Sequence, residues 1–234
     1  MKRLALGAFV IALLALSSIP AGATPLYSQP AVWTGAGTDV GISWTSQTAS
    51  GSGFVTFDKF SFATATTINQ ATWFGMFLNL DFTNGAPNTS RWDILINDST
   101  GPGGSVGNLI GGTLNAQVQR TAVGNGLFAG NVVTIYQFVG DFSAFNAAAG
   151  ATYWFAPVSV GMGGNFAPFF SWIQGTGGDG SSFQVQLTNF VPTNTFVREG
   201  DRAFSLAAVP EPSTLALLAL GLGGLTAGRR RRRS

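Results

Sequence analysis

The sequence predicts an all-β protein, an antiparallel β-sandwich of jelly-roll-like topology, on three observations. Short runs of alternating apolar and polar residues recur through its middle. Glycine-rich turns separate them, and no segment there holds a helical period for more than a turn or two. About nine or ten such runs in one domain fit two packed sheets. The sandwich, residues 24–208, is expected between an N-terminal signal helix at 1–23 and a C-terminal segment, 209–234, that carries a short membrane helix and an arginine tail.

Met1-Lys2-Arg3 is a basic start, residues 4–16 form an apolar core, and Ala21-Gly22-Ala23 fits the small-x-small cleavage pattern of a secretory signal. Cleavage after Ala23 leaves Thr24 as the mature start. Candidate strands follow at 40–45 and then around Val55, Phe57, Phe60 and Phe62, where the apolar parity changes step. A β-bulge near Asp58-Lys59 would return all four to one core; a small hairpin or a strand buried on both faces would also serve. In the run 73–82, Phe74, Met76, Leu78, Leu80 and Phe82 share a face; in 91–97, Trp92, Ile94 and Ile96 lie opposite Arg91, Asp93 and Asn97. Runs at 132–142 and 152–160 are apolar on both faces and are expected to be central. Further strands are expected at 114–122, 169–174, 182–188 and 202–208, with Phe183, Val185 and Leu187 on one side of the last but one. Gly-Pro-Gly-Gly at 101–104 and Gly-Thr-Gly-Gly-Asp-Gly at 175–180 mark loops.

The net charge of +2 is an effect of the ends. Between residues 24 and 208 five cations (Lys59, Arg91, Arg120, Arg198, Arg202) stand against nine acids, leaving −4. Such a domain offers no electrostatic footprint for a phosphate backbone, so nucleic acid is not an expected partner. Charged residues are 9% of the chain, and solubility falls to Ser, Thr, Asn, Gln and Gly. With no cysteine, disulfides are excluded, and stability rests on apolar burial and sheet hydrogen bonds.

Histidine is absent as well, which removes Ser-His-Asp triads, thiolate nucleophiles and thiolate or imidazole zinc sites. Carboxylate chemistry survives, since a glycosidase needs two acids facing each other across a sugar bond. Glu199 and Asp201, in Arg-Glu-Gly-Asp-Arg, read as a solvated turn, so no catalytic residue is assigned and a carboxylate-dependent glycan-active enzyme stands as the alternative. No cofactor is expected. The nearest approach to a metal site is a structural calcium ion at Asn97-Asp98-Ser99 or at Asp179 with Ser181, where aspartates in glycine-rich loops supply oxygen; the same side chains can instead cap their own turns. The glycine clusters lack the lysine and the following helix of a phosphate loop.

The chain has 20 Phe, 6 Trp and 3 Tyr. Trp73, Trp92 and Trp154 lie within apolar runs and are expected in the core. Trp33, Trp44 and Trp172 have more polar neighbours and are the candidates for stacking on the C–H faces of a sugar.

The last segment has three consecutive parts. Pro210 and Pro212, around Glu211, keep the chain extended, the shape a protease can thread. Residues 215–227, including Leu215, Leu217, Leu218, Leu220, Leu222 and Leu225, carry no charge and can enter lipid as a helix. Arg229, Arg230, Arg231, Arg232 and Arg233 then hold the end on the cytoplasmic side. At about 20 Å against about 30 Å of hydrocarbon, the helix suits a temporary anchor. This order resembles the PEP-CTERM sorting signal. The resemblance implies a protein of a Gram-negative envelope that is exported by the secretion translocon, cleaved by signal peptidase and held briefly in the inner membrane. An exosortase then processes it to the cell surface or extracellular matrix. Members are often linked with exopolysaccharide or biofilm matrix. The middle is also loosely similar to β-rich ectodomains that precede this tail. Together these readings predict a non-catalytic β-sandwich that binds exopolysaccharide, or a structural matrix protein with no specific ligand.

Overall fold

A computed structural model describes residues 24–87, 89–161 and 167–209. The expected signal peptide, the motif Pro210, Glu211 and Pro212, the expected span 215–227 and the expected stop Arg229 to Arg233 lie outside the described residues, as do the two helices expected there. Among the described residues, none of the structure is a helix long and apolar enough to cross a membrane.

Two sheets face each other. The first runs β8 (Val118–Phe128), β9 (Asn131–Ala147), β5 (Thr66–Leu78). Beyond β5 its edge is shared: β14 (Phe204–Ala207) pairs with the lower half of β5 and carries β1 (Pro25–Gln29), while β11 (Phe169–Trp172) pairs with the upper half and carries β2 (Trp44–Thr45). The second sheet runs β13 (Val191–Glu199), β12 (Ser181–Thr188), β4 (Ser52–Ser61), β3 (Gln47–Ala49), β10 (Thr152–Gly161), β6 (Thr89–Asp98), β7 (Leu109–Ala116). The expected antiparallel arrangement holds except at β3, which lies parallel to β10. β3 is too short to separate its neighbours, so β4 pairs with β3 at 52–54 and directly with β10 at 58–61. β9 and β10 are central, as their two apolar faces require.

Between the sheets lies an aromatic core. Trp73 stacks on Phe138 with ring centres 5.6 Å apart, and Trp92 packs on Phe138 at 4.8 Å and Phe170 at 4.9 Å. Gly140 is bare because a Cβ there would meet Ile94 at 2.7 Å and Trp73 at 3.0 Å. Trp73, Trp92 and Trp154 are buried, as expected. A second cluster, including Val40, Met76, Leu78, Val133 and Ile135, covers the outside of the first sheet under the segment 30–43, and a third, around Val55, Phe57 and Trp154, lies on the outside of the second sheet.

Several sequence expectations change. The step in parity along β4 is no bulge, because its pairing with β12 and β10 runs on without a register shift. Phe60 and Phe62 enter the inter-sheet core, while Val55 and Phe57 pack on the outer face: the strand is apolar on both sides. Thr56 and Asp58 share the inward face with the two phenylalanines and are fully buried. β5 starts at Thr66 and stops at Leu78, so Leu80 and Phe82 are exposed in the turn that follows rather than sharing the strand's face. The expected strand 114–122 is two strands in different sheets, β7 and β8, with the chain crossing at Gln117. β13 was missed because Pro192 and its polar neighbours hide its alternation.

Phe138 is fully buried at the centre of the aromatic core. Phe138→Ala is expected to lose about 3–5 kcal/mol of stability, measured by denaturant unfolding; a loss below about 1 kcal/mol would show that the core does not pack around this ring.

Candidate functional site

The most unusual chemistry in the domain is a group of carboxylates at one corner of the sandwich. β12 leaves β4 at Phe57, so the following residues of β4 face no strand on that side. Side chains of the opposite sheet close the gap. Tyr27 donates its hydroxyl to the Lys59 carbonyl at 3.0 Å, and Gln29 donates Nε2 to the same oxygen at 3.2 Å and to Tyr27 Oη at 2.7 Å. Asp58 turns inward from this edge. Its Oδ1 accepts the N–H of Lys59 at 2.7 Å, and its Oδ2 accepts the N–H of Arg202 in a short bond.

The glycine loop 175–180 folds over the same corner. Asp201 accepts the N–H of Gly178 at 2.9 Å and that of Gly180 at 2.7 Å, one on each oxygen. Gly178 has no room for a side chain: a Cβ would stand 2.5 Å from Asp201 Oδ1 and 2.6 Å from Gln29 Nε2. Asp179, at the tip, accepts the N–H and hydroxyl of Ser181 and pairs with Lys59 Nζ at 2.6 Å. Carboxylate oxygens of Asp58, Asp179 and Asp201 thus lie within 4.8 Å of one another.

Arg202 is fully buried, yet its guanidinium does not salt-bridge these acids. Nη1 donates to the carbonyls of Ile42 and Trp172, and Nη2 to those of Glu199 and Gly200. Burial lowers its pKa to about 10, against the pull of Asp58 and Asp201. Burial likewise pushes Asp58 up to about 8; the two N–H donors oppose that rise and neighbouring Asp201 adds to it. The expected solvated turn at 198–202 is therefore half wrong: Glu199 is exposed, but Asp201 and Arg202 are buried, because their polar atoms are bonded to the backbone of adjoining loops.

The other sequence candidates are scattered. Trp172 is fully buried between the sheets against Phe155 and Phe204, with Nε1 donating to the Ala203 carbonyl at 2.9 Å, so no sugar can reach it. Trp44 is half-buried under the Arg198 guanidinium, 4.2 Å from the ring centre. Trp33 is half-buried against Gly124 and Gly126, its Nε1 bonded to the Asn125 carbonyl at 3.2 Å. Asp98 caps its own turn through the N–H and hydroxyl of Thr100 and the N–H of Asn108, which hold its pKa below the usual carboxylate value; Asp81 does the same with Thr83.

Two clefts stand out among the described residues. One, of about 430 Å³, lies where the chain crosses from β7 to β8 and is lined by Thr89, Arg91, Asn115, Gln117 and Arg120 above Trp92. The other, of about 580 Å³, is apolar and follows the outer face of the second sheet past Phe57, Leu95, Val106, Phe183 and Val185. The alternation expected in β12 is present here, with Ser182 and Gln184 facing inward and the apolar set facing this groove. At the end of the domain Asn69 grips Val209 with two hydrogen bonds, 2.9 and 2.7 Å, just before the proline motif. A register shift in β5 between Ile68 and Gln70 frees that side chain to do so.

Asp58 gives stability a definite pH dependence. Its folded value is raised above the usual 3.8, so the native protein keeps a proton that the unfolded chain releases. Stability from this group is full below about pH 4 and falls, by at most about 1.4 kcal/mol per pH unit, up to about pH 8. Asp81, Asp98 and Asp179 have depressed values and act in the opposite sense on the acid side. In chelator, urea unfolding between pH 5 and 8 is expected to show a falling wild-type stability and a flatter profile for Asp58→Asn; equal slopes would contradict a buried, protonated Asp58.

Comparison with known proteins finds one likeness, and it lies at the chain's end. No curated protein and no solved structure matches. Residues 208–233 match the model of the PEP-CTERM protein-sorting motif, and the chain therefore carries the C-terminal signal of an exported, exosortase-sorted protein directed to the cell envelope.

Proposed function

We propose that the exported chain acts at the cell surface or in the extracellular matrix of a Gram-negative bacterium, and that its β-sandwich binds exopolysaccharide without catalysis. The secretion translocon, signal peptidase, a transient stay in the inner membrane and the exosortase are its handling partners. The sorting motif at 208–233 carries this reading. The Asn69 clamp on Val209 supports it, because it fixes on the domain the residue that directly precedes the sorting motif's Pro210.

For the ligand, the support is the cleft at the β7–β8 crossing. Two of the domain's five cations, Arg91 and Arg120, line it with the amides of Asn115 and Gln117; Asp93 pairs with Arg91 at 3.6 Å and accepts the Asn115 N–H, but no carboxylate is itself among its described lining residues. Guanidinium forks and amides suit the carboxylates and hydroxyls of an acidic polysaccharide. The non-catalytic reading draws on the acids. Neither cleft has one in its described lining, and Asp58 and Asp201 are buried and committed to backbone N–H groups. A glycosidase needs acids open to substrate.

Mass spectrometry of protein recovered from the cell surface is expected to show a chain lacking Arg229 to Arg233; an intact arginine tail would contradict exosortase processing. On an array of neutral and uronic-acid polysaccharides, the protein is expected to prefer the acidic ones at low salt, and the pair Arg91→Ala and Arg120→Ala to weaken that binding at least about tenfold. Unchanged binding would exclude the cleft, and no binding to any glycan would leave a scaffold without a ligand.

A further inference from the structure

We propose that the corner formed by Asp58, Asp179, Asp201 and Gln29 is a calcium site that staples the two sheets and the glycine loop together. Its carboxylates arrive from three separate segments: Asp58 from β4 in the second sheet, Asp201 from the entry to β14 in the first, and Asp179 from the loop 175–180. Their oxygens span no more than 4.8 Å. Two ligands on opposite sides of a calcium ion, each about 2.4 Å from it, are separated by about that distance.

An acidic cluster alone would not establish a ligand. The independent observation is Gln29, whose carboxamide is 98% buried because the residue is only 2% exposed. Its Nε2 is spent on Tyr27 and Lys59, and its Oε1 has no hydrogen-bond partner. The carboxamide lies beside Asp201 through its nitrogen, since a Cβ at Gly178 would stand 2.6 Å from Gln29 Nε2 and 2.5 Å from Asp201 Oδ1. A buried carbonyl oxygen without a partner, on a carboxamide that lies beside Asp201, is a donor that a cation could use. The local charge also asks for one. Arg202 is committed to four carbonyls, so Lys59 is the one cation that pairs with the cluster among the described residues.

The donor set is oxygen only, which selects a hard cation. Calcium accepts irregular sets of carboxylates and amide carbonyls, whereas magnesium demands near-octahedral geometry at shorter distances. Lys59 is the ion's competitor. Its side chain is 34% exposed and also lies 5.0 Å from the Trp154 ring, so it can leave Asp179 for solvent when the ion enters. The site does not depend on glycan binding, and it supplies a cross-link to a domain that has no disulfide.

The test is calorimetric titration and thermal unfolding of the full chain in mild detergent, after chelation, with calcium or magnesium chloride. One calcium ion is expected to bind, in preference to magnesium, and to raise Tm by about 3–6 °C at ten times Kd. Asp179→Asn, at an exposed position, is expected to fold normally in chelator and lose the calcium-induced rise. Lys59→Met is expected to bind calcium more tightly. Absence of calcium heat and of a Tm shift in the wild type would overturn the proposal. An equal calcium response in Asp179→Asn would overturn it too, since the ion would then bind elsewhere.

Discussion

A carboxylate buried between two sheets, holding the backbone of the opposite sheet, is the constraint on which this domain turns. Asp58 points inward from β4 and takes the N–H of Arg202 at the entry to β14. Removing a carboxyl group from water is unfavourable unless its hydrogen bonds are replaced, so its position dictates its surroundings. Asp201 must then orient the glycine loop, Tyr27 and Gln29 must satisfy the free edge of β4, and Arg202 must be held by carbonyls. The aromatic core supplies most of the burial, but it is non-directional. The polar corner gives the sheets their relative placement at this end.

The same arrangement explains how an exported domain without cysteine closes its edges. Where β12 departs, β4 would present unpaired carbonyls, the usual liability of an open edge. Side chains of β1 and the loop 175–180 cover that gap instead of another strand. The opposite corner, at the crossing from β7 to β8, is left open and carries exposed guanidinium groups. The domain therefore has one corner sealed by acids and one opened by cations, although its overall charge is acidic.

Much of the fold was legible because strand periodicity depends only on neighbouring residues. Trp92, Ile94 and Ile96 were assigned to one face and form the inter-sheet core, and β9 and β10 were assigned to the centre from their two apolar faces. Where a strand has two apolar sides, the period carries no information about which side is which. That is why the step at Asp58 read equally as a bulge, a hairpin or a doubly buried strand. The polar corner was hidden for a different reason. Asp58, Asp179 and Asp201 are far apart in sequence, and each alone reads as a surface aspartate; only Gly178 and Gly180 beside Asp179 hinted at a loop folded tightly onto something. Trp172 has polar neighbours that suggest solvent, while the fold buries its ring and turns its own Nε1 onto the Ala203 carbonyl. The C-terminal sorting motif was legible, since its parts are contiguous in sequence, and the match at 208–233 agrees with it.

Native-state hydrogen exchange at the corner tests the central claim most directly. If Asp58 and Asp201 lock the loop and the entry to β14, the amides of Gly178, Gly180 and Arg202 will exchange only by global unfolding, as slowly as those of the central strands β9 and β10. Exchange of these three amides at rates typical of a surface loop, with the central strands still protected, would show that the buried carboxylates do not hold the sheets together.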